Sequence, residues 1–435
     1  MELDEKQVEA INACLDIEKR LVAVTGKAGT GKTTLIKNIY TLLKDAGYQV
    51  ACSAPTGKAA KRIQEATGIP AVTNHKLLGY GMPYEVEVEN DEGKLIKTKV
   101  STGPQFKRNN PLPYDVILCD EYAMVNHEIH RNLIDALKPG AAIRMFGDVN
   151  QLKPIEENKL EAERPTPFQT VLEKHVGIEL NVIHRQAEGS GIAENGSRIL
   201  RGVIPQRFPD FFIHYTDQPI NKLKDYILER GAEHDEDFSK PEFQILTTMN
   251  KTWVGVLRLN QTIQTLYWDN KADFMELPRH QWGVNKTDNP PIRVQVGSKV
   301  VFTTNIYDLY PDNHDEEVQY AFNGEVGNIV ALHEDGSVSI DFGDRVVMIP
   351  PLVVTTNKKG NIVELDPRKS IDLAYVLTTH KAQGSQYNHV VVVLNKSTSF
   401  SQSRRNFYTA ITRASKVCTV ITDQYSISKS TKYKD

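Results

Sequence analysis

A single stretch near the N-terminus restricts the fold more than anything else in the chain. Val22-Ala23-Val24-Thr25 is an apolar, β-prone run that enters a glycine-rich turn and leaves through a helix-forming segment, Leu35 to Leu43. Gly26, Gly31, Lys32 and Thr33 match G-x-x-x-x-G-K-[ST], the P-loop. Glycines at this spacing let the backbone of Ala28, Gly29, Thr30, Gly31 and Thr34 close around phosphates, and the helix N-terminus adds a favourable dipole. Lys32 is placed to reach the β- and γ-phosphates, and Thr33 to hold Mg²⁺. The competing reading is a glycine-rich turn before an ordinary helix. The strand–loop–helix context favours the phosphate cradle, and with it nucleotide binding within an α/β fold.

At 435 residues the chain is too long for one ordinary core, so two or more domains are expected. No apolar run approaches membrane-spanning length, and the acidic, amphipathic N-terminus has no signal-peptide pattern, which predicts a cytoplasmic protein with no membrane partner. Cys14, Cys52, Cys119 and Cys418 are widely scattered without a C-x-x-C, which indicates neither a disulfide framework nor a zinc site. A net charge of -3 does not announce a nucleic-acid binder, but a local basic groove matters more than the total.

The segment from Leu3 to Ile11 reads as an amphipathic helix that Asp4 can cap. Gln7 within it is a candidate adenine contact, because an amide offers a donor and an acceptor to a base edge; the plain alternative is a solvated helix residue. After a short strand, Val50 to Ser53, the run Ala54-Pro55-Thr56-Gly57-Lys58-Ala59-Ala60-Lys61-Arg62 opens a helix with a hydroxyl and three basic residues in its first turns. That composition suits a phosphate backbone, or simply a capped, solvated helix. Val72-Thr73-Asn74-His75-Lys76 is equally weak in isolation.

Tyr84 to Glu89 alternates apolar with acidic, Asn90-Asp91-Glu92-Gly93 is a turn signal, and Lys94 to Val100 returns as a basic strand. This predicts a hairpin that is either a functional projection or a decorated loop. Val116-Ile117-Leu118-Cys119-Asp120-Glu121 is a buried strand ending in two carboxylates. Asp120 is suited to bind Mg²⁺ and Glu121 to activate an attacking water. A further strand, Ala142 to Phe146, delivers Gln151, whose amide is placed to sense a γ-phosphate.

Gly147-Asp148-x-x-Gln151-Leu152-x-Pro154 after Asp120-Glu121-x-x-Met124 resembles the superfamily 1 helicases, especially the RecD-like and Dda-like 5′-to-3′ branch, and the compact length is similar to that of phage-type members. The resemblance implies that Pro55, Thr56, Lys58 and His75 contact DNA, and that the hairpin is a strand-separating pin. Leu180 to Gln186 is similar to the motif opening the second motor domain, making Arg185 a γ-phosphate contact; many relatives have Tyr where His184 stands. Thr378-Thr379-His380-Lys381-Ala382-Gln383-Gly384 is similar to the motif linking nucleotide to strand. It puts Thr379, His380 and Lys381 towards DNA and Gln383 and Gly384 nearer the nucleotide. Tyr408-Thr409-Ala410-Ile411-Thr412-Arg413-Ala414 matches the last motif, with Arg413 as an arginine finger.

From Arg293 to Ile349 short strands and glycine turns predict a small barrel, where the branch carries an SH3-like insertion. The tail from Ser426 is polar and expected to fray. The fold implied is α/β, with two RecA-like P-loop NTPase domains on parallel sheets. The expected boundaries are 1–76 and 113–179 for the first motor domain and 77–112 for the hairpin. The second motor domain is expected at 180–292 and 366–435, with the SH3-like insertion at 293–365. The resemblance implies a monomeric, ATP- and Mg²⁺-dependent motor on single-stranded and forked DNA, open to partnership with a single-stranded-DNA-binding protein. A translocase that strips proteins from DNA, and a nucleotide-dependent switch or loader, are the alternatives.

Overall fold

The computed structural model describes residues 3–80, 84–89, 95–100, 103–182, 190–279, 291–304, 306, 309, 321–356 and 362–433. His184 and Arg185, the hairpin turn at 90–94 and Trp282 lie outside the described residues. The chain divides into two compact units: Met1–Val149 with Lys153–Arg185 and Val354–Leu365, and Asn150–Leu152 with Gln186–Val353 and Asp366–Asp435. Among the described residues, no helix is long and apolar enough to cross a membrane.

The first unit opens with strands β1 (Leu21–Gly26), β2 (Val50–Ala54), β3 (Ala71–Thr73), β4 (Tyr84–Glu89), β5 (Leu95–Val100), β6 (Val116–Cys119), β7 (Ala142–Gly147) and β8 (Val176–Leu180). Six of them form a sheet in the order β3-β2-β6-β7-β1-β8, every pairing parallel. A sheet with helices on its faces buries its strands on both sides, which is why β2, β6 and β7 are buried at every position and read as unbroken apolar runs. Because the strands are parallel, their carboxyl ends share one edge. Gly26, Ala54, Cys119 and Gly147 all finish there, each feeding one of the motif loops. The separate β4–β5 ribbon is antiparallel, with Glu85 opposite Lys99 and Glu87 opposite Lys97 in register.

The helix Glu5–Leu15 starts in a capping box, Asp4 and Gln7 each bonding the other's backbone N–H. Its last turn contains no basic residue. Arg144 of β7, fully buried, supplies the missing charge: its guanidinium donates to the carbonyls of Cys14 (2.7 Å), Asp16 (2.9 Å) and Lys19 (2.7 Å).

In the second unit β9 (Phe211–Tyr215) and β10 (Phe243–Thr247) precede a two-stranded ribbon, β11 (Met275–Leu277) with β12 (Ile292–Val294). There follow β13 (Lys299–Phe302), β14 (Val326–Leu332), β15 (Val338–Asp341) and β16 (Val346–Ile349), then β17 (Val353–Thr356) and β18 (Ile362–Leu365), which apart from Val353 group with the first unit. Last come β19 (Ile371–Leu373), β20 (Val376–Thr378), β21 (Tyr387–Leu394) and β22 (Ala414–Thr422). The order β20-β10-β21-β22-β9 makes a second parallel sheet, and β16-β15-β14-β13-β19 an antiparallel one; β17 and β18 pair separately. One tight cluster fixes the face of the parallel sheet. Glu236 bridges Arg230 and His389, whose other nitrogen lies 3.0 Å from Thr419.

The C-terminal segment corrects an expectation. Residues Gln424–Lys432 form a helix rather than a frayed tail, with Ser426, Ile427, Ser430 and Thr431 buried. Asp423 caps its start, and Arg404 donates to the carbonyls of Thr431 and Lys432 at its end. Small hydroxyl side chains pack closely here, so the helix docks with only one large apolar residue on its buried face.

Candidate nucleotide and nucleic-acid site

In the first unit the loop between β1 and the helix Lys32–Asp45 takes the left-handed conformations that only glycine adopts cheaply, Gly29 at φ 88° and Gly31 at φ 82°. Gly26 is required for a different reason. A Cβ there would stand 2.5 Å from Thr30 Oγ1 and 3.0 Å from Leu180 Cβ. Thr30 is buried and donates to the Lys27 carbonyl (3.0 Å), while Ala28, Thr33 and Gly31 are half-buried and Thr34 is exposed. Lys32 Nζ folds back onto the carbonyls of Gly26 (2.5 Å) and Lys27 (3.0 Å). Burial lowers its pKa, against the pull of Asp148, Glu121 and Asp120. Gln7 is buried and ties its helix to this loop, Nε2 donating to the Thr30 carbonyl (3.3 Å). One N–H and one lone pair of that amide remain for a base.

The carboxylates follow β6 directly. Asp120 and Glu121 are buried, Glu121 in the left-handed region at φ 50°, with its N–H donating to Asp120 Oδ1 (2.8 Å). Burial raises the pKa of Asp120, Glu121 raises it further, and the cations that oppose them are Arg62 first and then Lys32. Arg62 Nη2 lies 3.1 Å from Glu121 Oε1 and 3.5 Å from Asp120 Oδ2. The sequence groups Arg62 with Lys58 and Lys61 as backbone-contacting bases; the fold instead turns its guanidinium onto the carboxylates.

Thr56 caps the helix Gly57–Thr67, accepting from Ala59 N–H (3.2 Å), with Pro55 and Lys58 half-buried beside it. His75 is exposed and packs edge-on to Tyr80. Its neighbour Asn74 is buried and accepts from Cys119 Sγ (3.3 Å), which ties this segment to the strand ending in Asp120.

In the second unit, Gln151 and Leu152 sit on the helix Arg404–Ile411. Arg405 donates to the Gln151 carbonyl (3.1 Å), and Leu152 N–H to Thr409 Oγ1 (3.0 Å). Gln151 Oε1 and Gln383 Nε2 are both buried without a hydrogen-bond partner among the described residues, an arrangement that native proteins keep where a ligand or water supplies the bond. Gly384 is buried at φ 75°. Arg413 is buried, donating to the carbonyls of Thr409 (3.2 Å) and Ser385 (3.2 Å). Thr379 is buried with its hydroxyl on Asn406 Oδ1 (2.9 Å), His380 is half-buried and Lys381 is exposed. Asp372 lies 3.9 Å from Lys381 Nζ and also binds Arg279. Arg62, Asn406 and Arg279 carry no local signature that marks these roles.

For a divalent cation the Thr33 hydroxyl and the Asp120 carboxylate offer the oxygen donors that Mg²⁺ takes. Among the described residues His127, Glu156 and Glu161 also converge, but Glu156 accepts from the His127 imidazole (2.7 Å) and Glu161 pairs with Arg131, so that group is satisfied internally.

A family model described as an AAA domain matches residues 2–210, and one described as a UvrD-like helicase C-terminal domain matches residues 373–421. The ATP-dependent RecD2 DNA helicase of Deinococcus radiodurans is 30% identical over 404 residues, covering 91% of this chain and 46% of that protein. The RecBCD enzyme subunit RecD of Mycobacterium tuberculosis is 25% identical over 455 residues, covering 94% of this chain and 68% of that one. The chain therefore spans about half the length of the first of these relatives. In fold it is similar to Bacteroides Pif1 bound to ssDNA, with a TM-score of 0.58 at 20% identity over 98% of this chain and 93% of that one.

Proposed function

We propose that this homologue of the RecD-like superfamily 1 helicases is an ATP-driven motor that moves 5′ to 3′ on single-stranded DNA and unwinds duplex ahead of it. The observation that carries the reading is the shared carboxyl edge of the first parallel sheet. The carboxylate pair and the strand-contacting segment at 54–58 leave it from neighbouring strands, β6 and β2, and the phosphate loop leaves it from β1, with β7 between β6 and β1. Nucleotide binding and strand binding are thus built on one rigid support.

The residues divide the chemistry between them. The Gly26 cradle and Lys32 take the phosphates, Gln7 takes the base, and Thr33 with Asp120 holds Mg²⁺, which when bound neutralises phosphate charge. Glu121 orients the attacking water and accepts its proton. Gln151 and Gln383, each with a buried unpaired amide atom, read the state of the γ-phosphate, and Arg185 and Arg413 supply the remaining positive charge. Thr56, Lys58, His75, His380 and Lys381 follow the strand, chiefly through its phosphates, so sequence preference is slight. The β4–β5 ribbon is the strand-separating pin, and residues 293–365 are the SH3-like insertion.

The test is unwinding of a forked duplex carrying a single 5′ or 3′ tail, with ATP turnover followed in parallel. The motor reading requires strand-stimulated turnover and unwinding from the 5′ tail. Equal turnover with and without single-stranded DNA would sink it, and stimulated turnover without unwinding would leave a translocase.

A further inference from the structure

We infer that Arg62 is a positioning residue that holds the carboxylate pair at rest and reports strand occupancy to it, an inference that rests on the motor reading above. The two carboxylates are nearly buried, their side chains 1% and 5% exposed, and adjacent in the chain, so they need a cation close by. The Arg62 guanidinium supplies it at 3.1 Å and 3.5 Å. A Glu121 carboxylate that accepts from a guanidinium is a weaker base towards water. The same bond draws charge from Asp120, which must meet the metal. Arg62 and the working arrangement of the site therefore compete for the same oxygens.

The lever that settles the competition is the helix that carries Arg62. It is a stiff, well-ended element: Thr56 caps its start, Gly68 at φ 73° closes it, and Ala59, Ala60 and Ile63 bury one face. Thr56 and Lys58 at its first turn are the proposed strand contacts. Arg62 lies one turn further, about 6 Å along the axis. A strand seated on the first turn moves Arg62 as part of the same rigid body, loosening its hold on Glu121 and Asp120. Strand occupancy thus becomes ATP turnover without any intervening network.

The test uses the full chain with Arg62→Gln and Arg62→Lys, and three measurements. These are ATP turnover with and without single-stranded DNA, Mn²⁺ affinity in the presence of ADP by electron paramagnetic resonance, and single-strand affinity by fluorescence anisotropy. Arg62→Gln is expected to raise strand-free turnover at least threefold, to shrink the stimulation ratio by the same factor and to tighten Mn²⁺ at least threefold. Strand affinity should stay within twofold. Arg62→Lys keeps a charge without the planar fork and should fall between the two. An unchanged stimulation ratio with unchanged Mn²⁺ affinity in either variant overturns the inference, as does a proportional loss of both turnover rates. A wild-type chain whose turnover ignores the strand would overturn the motor reading first, and so separates the two failures.

Discussion

Replacing Arg144 by Met tests whether the phosphate-loop half of the molecule is held together from behind. Met keeps much of the volume and donates nothing, so the carbonyls of Cys14, Asp16 and Lys19 lose three charged hydrogen bonds of 2.7–2.9 Å. At about 2 kcal/mol each the gross loss is about 6 kcal/mol. Freeing the fold from dehydrating a guanidinium returns about half of that, and burial does press on this group, lowering its pKa. The net is a loss of about 3 kcal/mol, or a factor of about one hundred in the opening equilibrium. The three tryptophans lie at positions 253, 268 and 282, outside the first unit, so fluorescence is blind to it. Amide hydrogen exchange across β1 and β7 is the assay, and an acceleration of about a hundredfold is expected. Nucleotide affinity should fall too, because the helix that Arg144 caps carries Gln7 to the loop. An acceleration below fivefold would show that desolvation outweighs the three bonds and would refute the reasoning.

Three further outcomes are expected. Gly26→Ala should weaken binding of a fluorescent ATP analogue at least tenfold while circular dichroism is unchanged, and adding Thr30→Ala should restore part of it by removing the oxygen 2.5 Å away. Lys32→Ala should abolish ATP turnover in a folded chain; substantial residual turnover would count against the cradle assignment. His130, pushed down to about 4 chiefly by burial and bonded to Tyr122 at 2.9 Å, is neutral in the folded state near neutrality. A base held below its ordinary pKa adds stability that is fully present above about 6.5 and lost as pH falls towards 4. Between pH 7 and 5 the first unit should lose about 2 kcal/mol through this one group, and His130→Gln should lose correspondingly less by hydrogen exchange.

What could be read from the sequence was whatever is written locally. The turn from β1 into its helix, the run Val116–Cys119 ending in two carboxylates, and the alternation of β4 all declare themselves within ten residues. Contacts between distant residues do not. Arg62 reaches carboxylates 58 and 59 positions downstream, and Arg144 reaches carbonyls 125 to 130 positions upstream. In sequence Arg62 reads as one of three bases suited to a phosphate backbone, and Arg144 as one more residue of a strand. Thr379 gives no hint of Asn406, and a serine-rich tail looks frayed until Arg404 is seen to close its helix. Gln151 reads as an extension of β7, yet it groups with the second unit through Arg405.

The strand order has a consequence for how the chain comes into being. Among the described residues β1 pairs only with β7 and β8, which begin at residues 142 and 176, whereas β1 itself ends at Gly26. During synthesis at about 5–20 residues per second, the strand that carries the phosphate loop has no neighbour for roughly 6–25 s. Throughout that interval both its edges offer unpaired N–H and C=O groups to anything extended nearby. The β2–β3 and β2–β6 pairings, separated by shorter gaps, can form earlier. The phosphate loop therefore waits for strands more than a hundred residues downstream before it acquires its shape, and a nascent fragment ending before Ala142 should have no grip on phosphate at all.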